Sequence, residues 1–274
     1  MKLHEIGFSI LPDRPPCEDA FRMTAPTPAC AIVVPCYNEA DRLPQQEFIR
    51  FAREHPEVFF VFANDGSKDN TSQMLEALRQ NMPAACHVLD NAVNQGKAGV
   101  VRQGLLWAID ETQAPVLGFW DADLATPLDS ILEMLEVLRN KPDCWMVFGA
   151  RVKLLGREIE RKPHRHYLGR VFATFASTLL RLPVYDTQCG AKLFRRTPQV
   201  RSLFAEPFVS RWIFDVEIIA RFLRLPASQR PTAEAAIYEL PLRVWKDIGG
   251  SKVKPRDFLK AIADLWRIRN RYGL

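Results

Sequence analysis

Between residues 31 and 150 the chain alternates short apolar runs with helix-period segments, and this alternation restricts its fold more than any other feature. Apolar runs bounded by turn residues read as strands buried on both faces, and the periodic segments read as crossover helices. The pattern therefore describes βα units around a mostly parallel sheet. The expected strands are Ala31–Val34, Val58–Ala63, Cys86–Leu89, Val116–Trp120 and Trp145–Phe148. The expected helices are Arg42–Glu54, Thr71–Gln80, Lys97–Ile109 and Pro127–Arg139. In the third helix Val100, Val101, Leu105 and Ile109 fall close to a 3.6-residue period. The remainder is less regular: a helix ending at Leu182, a strand over Ala191–Phe194, a helix over Phe214–Leu223, a strand over Ile237–Val244 and an amphipathic helix over Pro255–Arg271. The expectation is one α/β domain over 29–274, divided functionally at 150/151, behind an N-terminal extension over 1–28.

A hydrophobic fraction of 47% with 25% charged residues excludes disordered and fibrous classes. The 37 Lys and Arg against 32 Asp and Glu give a net charge of +5, too mild by itself for nucleic-acid binding but compatible with phosphate-bearing ligands or an anionic membrane surface. Cys17, Cys30, Cys36, Cys86, Cys144 and Cys189 form no CxxC pair and sit mostly beside apolar runs, as buried thiols of a reducing cytoplasm do; no zinc site or disulfide framework is expected. Residues 1–28 lack the charged-then-apolar order of a signal peptide. No run reaches the roughly 18 apolar residues of a spanning helix. The longest, Tyr167 to Leu182, is broken by Gly169, Arg170 and Arg181. The stretch from Arg161 to Leu182 has two readings. One is a membrane-surface helix with Arg161, Lys162, Arg165 and Arg170 at headgroups and Leu168, Val171, Phe172, Phe175, Leu179 and Leu180 inserted. The other is a core-packing helix with a solvated face.

Ligands of open α/β sheets bind at the carboxyl ends of the strands, and here those ends are polar. The first strand runs into Pro35-Cys36-Tyr37-Asn38-Glu39, the second into Asn64-Asp65-Gly66-Ser67-Lys68-Asp69-Asn70-Thr71, and the fourth into Asp121-Ala122-Asp123. The third leads to Asn94-Gln95-Gly96-Lys97 at the start of a helix. Asp121 and Asp123, two residues apart, can reach one hard cation, Mg²⁺ or Mn²⁺, whose remaining ligands are phosphate oxygens and water; the alternative is a cap for the helix after Pro127. Asp65 accepts hydrogen bonds from a nucleobase while Gly66 allows close backbone approach, or the segment is a capped turn. Gly96 and Lys97 at a helix N-terminus suit a phosphate. The sequence has no GxGxxG and no GxxxxGK[ST], which argues against dehydrogenases and P-loop nucleotidases.

In that order these motifs resemble those of family 2 glycosyltransferases of the GT-A fold. Later segments, Asp186-Thr187-Gln188-Cys189-Gly190-Ala191-Lys192-Leu193-Phe194, Trp212-Ile213-Phe214-Asp215-Val216-Glu217 and Trp245 to Lys252, are similar to the polyprenyl-phosphate sugar transferases within it, the dolichyl-phosphate β-glucosyltransferases especially. The resemblance, over about Ala31 to Lys254, implies a Rossmann-like, mostly parallel sheet flanked by helices. It implies a nucleotide-sugar half, 29–150, and an acceptor half, 151–274. It implies an inverting transfer, with glucose from UDP-glucose as the expected sugar and a polyprenyl phosphate as the acceptor, by a peripheral enzyme at the cytoplasmic membrane face.

By residue, the resemblance implies a nucleotide pocket of Pro35, Tyr37, Glu39 and Asp65, with Lys97 near the base or phosphates and a metal on Asp121 and Asp123. Arg151 and Lys252 would lie near the acceptor phosphate. Gln188, Asp215 and Glu217 would shape the sugar and acceptor side, with Asp215 at the reacting centre. Ala191 stands where such relatives often carry Phe, which is expected to reshape the acceptor pocket, and Ala125 after the Asp-x-Asp favours the glucosyl-like subgroup. Many relatives carry carboxyl-terminal membrane spans, whereas Trp266-Arg267-Ile268-Arg269-Asn270-Arg271 is basic and amphipathic, so membrane access is expected through surface helices. GDP-mannose or another donor, a soluble acceptor, a nucleotide-sugar sensor and a membrane adaptor are the alternatives.

Overall fold

The computed structural model describes residues 27–161, 163–248 and 255–274. The expected N-terminal extension, apart from residues 27 and 28, and Lys252 lie outside the described residues. The elements run β1 (Cys30–Cys36), α1 (Gln45–Glu54), β2 (Val58–Asp65), α2 (Thr71–Asn81), β3 (Cys86–Asn91), α3 (Lys97–Glu111), β4 (Val116–Trp120), α4 (Ser130–Asn140) and β5 (Met146–Ala150). There follow β6 (Glu158–Glu160), α5 (Pro163–Leu180), β7 (Ala191–Arg195), α6 (Pro198–Ala205), α7 (Phe214–Arg224), α8 (Ala233–Ala236), β8 (Ile237–Pro241), β9 (Val244–Lys246) and α9 (Pro255–Tyr272).

Seven strands form the main sheet in the order β3-β2-β1-β4-β7-β5-β8. All its pairings are parallel except those of β7, which runs antiparallel to β4 and β5. The strands are apolar on both faces because helices cover both. Ala31 and Val33 of β1 face α3, α5, α6 and α7, while Ile32 and Val34 face α1, α2 and α4. Gly104 lets α3 lie directly on β1, since a Cβ there would stand 2.5 Å from Val33 Cγ1. With β7 reversed, its N-terminal end meets the C-terminal ends of β1, β2, β4 and β5 at one edge of the sheet, and the site lies along that edge.

Several expectations are corrected. The region over Ile237–Val244 is two strands in two sheets: β8 pairs with β5, and β9 pairs with β6 in a separate two-stranded ladder. Pro241, which has no N–H for a ladder, ends the first. The helix expected from Arg42 begins at Gln45 because Arg42 and Leu43 donate backbone N–H groups to Glu39 O in a preceding turn. The helix expected from Pro127 begins at Ser130, after a turn in which Ser130 N–H bonds Pro127 O. Helix α5 shares both readings of its stretch: Phe172, Ala173, Ala176 and Leu180 are buried, whereas Leu168, Val171 and Phe175 are exposed. Phe172 and Leu180 are therefore core residues, and Arg170 lies over the Tyr185 ring at 3.8 Å. Ala191 is fully buried in β7 opposite Trp120, so it packs the sheet and does not line the acceptor side.

Candidate active site

The loops at the sheet edge are tied to one another before any ligand is considered. Asn38, at φ 52°, receives Lys68 N–H on Oδ1 and donates its own N–H to Ser67 Oγ; Glu39 N–H bonds Thr71 Oγ1. The β1 and β2 ends are thus clamped together. Asp65, at the end of β2, accepts Gln95 N–H at 2.6 Å and Gly96 N–H at 2.9 Å. Burial pushes its carboxyl above the usual range, and these backbone bonds with nearby Arg211 pull against that. Its carboxylate orders the loop that opens α3. Arg211 closes the same loop from the second half, donating to Asn94 O, Asn94 Oδ1 and Gln95 O.

Beyond β4 the Asp121 N–H bonds Gly190 O, and the Asp121 carboxylate meets Lys97 Nζ at 2.5 Å. Burial acts to raise the Asp121 carboxyl, but the charge and hydrogen bond of Lys97 hold it below the usual range. Asp123 moves the other way, raised by burial and by the charge of Asp121. Asp123 also accepts Ala125 N–H and stands 3.5 Å from Arg42, while the turn that aims it puts Leu124 at φ 50°, a strained conformation for leucine. Gly190 is required here because a Cβ would fall on the Asp121 carboxylate.

Two buried ion pairs complete the site. Arg151, just past β5, donates from Nε and NH2 to the two oxygens of Asp186 at 2.6 and 2.8 Å, with its guanidinium over Trp245. Burial works against both charges, yet their attraction holds Asp186 well below and Arg151 above its ordinary value. Asp186 is positioned by Glu239, whose oxygens accept the Tyr185 and Asp186 N–H groups at 2.7 Å. Asp215, in the first turn of α7, pairs at 2.6 Å with Lys192, which is fully buried and also donates to Thr187 O and Cys189 O.

Pro35, Tyr37, Glu39, Asp65, Lys97, Asp121, Asp123, Arg151, Gln188 and Asp215 all line one cleft of about 780 Å³. Glu217 does not. It is completely buried, accepting Val209 N–H, Ser210 N–H, Arg221 NH2 and Tyr272 Oη–H, so it anchors α9 and the 207–213 segment to α7. Two helical positions past Asp215, about 200° around the helix, its side chain turns away from the cleft. Lys192, Asp186, Arg211 and Arg42 were not among the expected site residues. A lysine inside the apolar run Cys189 to Phe194 was the legible sign of the first, since a buried ammonium requires a carboxylate partner.

A mostly parallel sheet whose edge carries two closely spaced carboxylates beside a cationic helix start is the arrangement of the GT-A glycosyltransferases to which this chain is similar. Glucosyl-3-phosphoglycerate synthase from Mycobacterium tuberculosis, solved with Mn²⁺, UDP-glucose and phosphoglyceric acid, has that fold with a TM-score of 0.59 at 17% identity, over 90% of this chain and 80% of its own. Residues 31–199 match the model of Glycosyl transferase family 2, and the chain belongs to that family. It is 32% identical to the dolichyl-phosphate beta-glucosyltransferase of Dictyostelium discoideum, over 89% of this chain and 75% of the relative. The human dolichyl-phosphate beta-glucosyltransferase is likewise 32% identical, over 90% and 77%.

Proposed function

We propose that the chain transfers glucose from UDP-glucose to a polyprenyl phosphate of the dolichyl type, inverting the anomeric carbon, and that it uses Mg²⁺ or Mn²⁺. One observation carries the reading: a single cleft joins Asp121, Asp123 and Lys97 to Arg151 and Asp215, and part of its wall is apolar, including Leu168, Phe172, Trp212 and Ile248. The names of the relatives support the sugar and the lipid.

The residues fit a divalent ion. Asp121 and Asp123 offer hard oxygens, and the Asp121 carboxylate sits in the space that a Cβ at Gly190 would take. Among the described residues no group of three or more His, Cys, Asp or Glu is arranged for a metal, so phosphate oxygens and water would complete the coordination. Bound there, the ion would neutralise charge on the departing nucleoside diphosphate.

The chain supplies the rest. Pro35, Tyr37, Glu39 and the Asp65-ordered loop hold the nucleoside, and the start of α3 with Lys97 faces the diphosphate. Arg151, kept rigid by Asp186, receives the acceptor phosphate together with Lys252, and Gln188 borders the sugar. A phosphate oxygen attacks C1 of the sugar as the bond from C1 to the UDP oxygen breaks, the electron pair leaving on UDP. The acceptor is already anionic, so Asp215, fixed by Lys192, orients the sugar and need not remove a proton. Residues 29–150 form the donor half and 151–274 the acceptor half.

A lipid acceptor requires the cleft to meet a bilayer, and the proposal takes the cytoplasmic face. Exposed Leu168, Trp212 and Ile248 border the cleft, α5 also exposes Tyr167, Val171 and Phe175, and the turn after Arg151 exposes Leu154 and Leu155 between Lys153 and Arg157. These features support peripheral contact. Among the described residues no helix is long and apolar enough to cross a membrane.

The test incubates purified protein and Mn²⁺ or Mg²⁺ with a panel of UDP- and GDP-sugars, with and without short polyprenyl phosphate, and measures nucleoside diphosphate and glycolipid together. UDP release from UDP-glucose only with lipid present, matched by glycolipid, is the expected result. Turnover that ignores the lipid overturns the acceptor, and turnover only with another donor overturns the sugar.

A further inference from the structure

The cations of the cleft differ in how firmly they are held. Lys192 is fully buried and bound to Asp215 and two carbonyls. Arg151 is gripped by both oxygens of Asp186, and Arg211 is spread over three acceptors of the 94–95 loop. Lys97 and Arg42 are held by carboxylates alone, Arg42 at 3.5 Å from Asp123 and 3.6 Å from Glu39. Of the two, Lys97 is the one hydrogen-bonded to Asp121 Oδ1, and its side chain is 34% exposed. Its ammonium is also subject to the charges of Asp215 and Asp123, and Asp121 and Asp123 are the carboxylates that would hold a divalent ion. Four rotatable carbons let a lysine head move several ångströms without disturbing its helix.

We propose that Lys97 is a displaceable counterion: it neutralises Asp121 in the empty cleft, gives up that carboxylate to the divalent cation, and moves its ammonium to the donor diphosphate. The proposal rests on the reading of Asp121 and Asp123 as the metal ligands. It assigns Lys97 opposite effects on two ligands, since the residue competes with the cation for Asp121 and adds positive charge for the diphosphate. A cation then binds weakly alone and tightly once a diphosphate gives Lys97 another partner, and by reciprocity the diphosphate binds better with the cation present. The order of loading follows from one side chain that serves two anions in turn.

The experiment needs no turnover. Mn²⁺ binding to the full chain is followed by the electron paramagnetic resonance signal of free Mn²⁺ in wild type, Lys97→Met, Lys97→Gln and Asp121→Asn, without nucleotide. Metal-free UDP and GDP binding is measured by calorimetry on the same proteins, with circular dichroism to confirm folding. Both Lys97 variants are expected to bind Mn²⁺ about tenfold more tightly and the better nucleoside diphosphate about tenfold more weakly, the scale of one part-exposed charge pair. Unchanged or weaker Mn²⁺ binding in both variants overturns the proposal, as does weakening of both ligands together. Mn²⁺ binding that Asp121→Asn leaves intact shows instead that the metal-ligand reading has failed, and the proposal falls with it.

Discussion

Lys192→Met tests how the acceptor side is held. Lys192 is 0% and Asp215 8% exposed at 2.6 Å, a separation at which the gross attraction is about 6 kcal/mol for an effective dielectric near 20. Desolvation of both groups offsets much of that, so the pair itself contributes little net stability, but removing one partner strands the other. A buried carboxylate left without its cation costs about 3–5 kcal/mol. The Thr187 and Cys189 carbonyls lose their donor as well. Lys192→Met is therefore expected to lose about 3–5 kcal/mol in equilibrium urea unfolding followed by far-ultraviolet circular dichroism. The double variant Lys192→Met/Asp215→Leu removes both charges and should regain more than half of the loss, while transfer activity stays absent. A single variant within about 1 kcal/mol of wild type would refute the reasoning, because the stranded charge is its whole basis. A double variant as unstable as the single one would assign the cost to the two carbonyls.

Three further outcomes follow from the same geometry. Gly190→Ala should displace the Asp121 carboxylate and lower turnover by roughly 10²-fold with the fold retained, and wild-type turnover would mean that Asp121 needs no fixed position. Glu217→Ala strands buried Arg221, so stability should fall by about 3–5 kcal/mol in urea while KM for the donor stays unchanged; a raised KM at full stability would put Glu217 back in the cleft. The Asp186 carboxyl lies below its unfolded value, so its contribution is complete above about pH 4 and is lost as pH falls through the folded pKa. Unfolding of wild type and Asp186→Asn compared across pH should therefore show a constant gap near neutrality that closes in acid, and a gap that widens in acid would reverse the assignment.

The parallel half was legible because its information is local. Runs such as Val58 to Ala63 can be covered only from both sides, and the polar residues that end β1, β2 and β4 had to gather at one edge once those strands were parallel. Even α6, which was overlooked, carries a start signal in Thr197, whose hydroxyl accepts Val200 N–H, with Pro198 in the first turn. The second half was less legible because its order depends on contacts distant in sequence. Nothing near Ala191 says that β7 inserts antiparallel between β4 and β5, and that insertion is what brings Gly190 against Asp121 and Lys192 against Asp215.

The sequence by itself determined the parallel strands β1 to β4, the family and the carboxylates at the end of β4, since each is written in adjacent residues. Only the tertiary structure decided that Asp215 faces the cleft while Glu217, two residues on, turns into the core to hold Arg221 and Tyr272. It likewise decided that Arg151 is locked by Asp186 and that Lys97 is held less firmly. The physical reason is that a charge is placed by its partners, and here the partners come from strands and helices far apart in the chain.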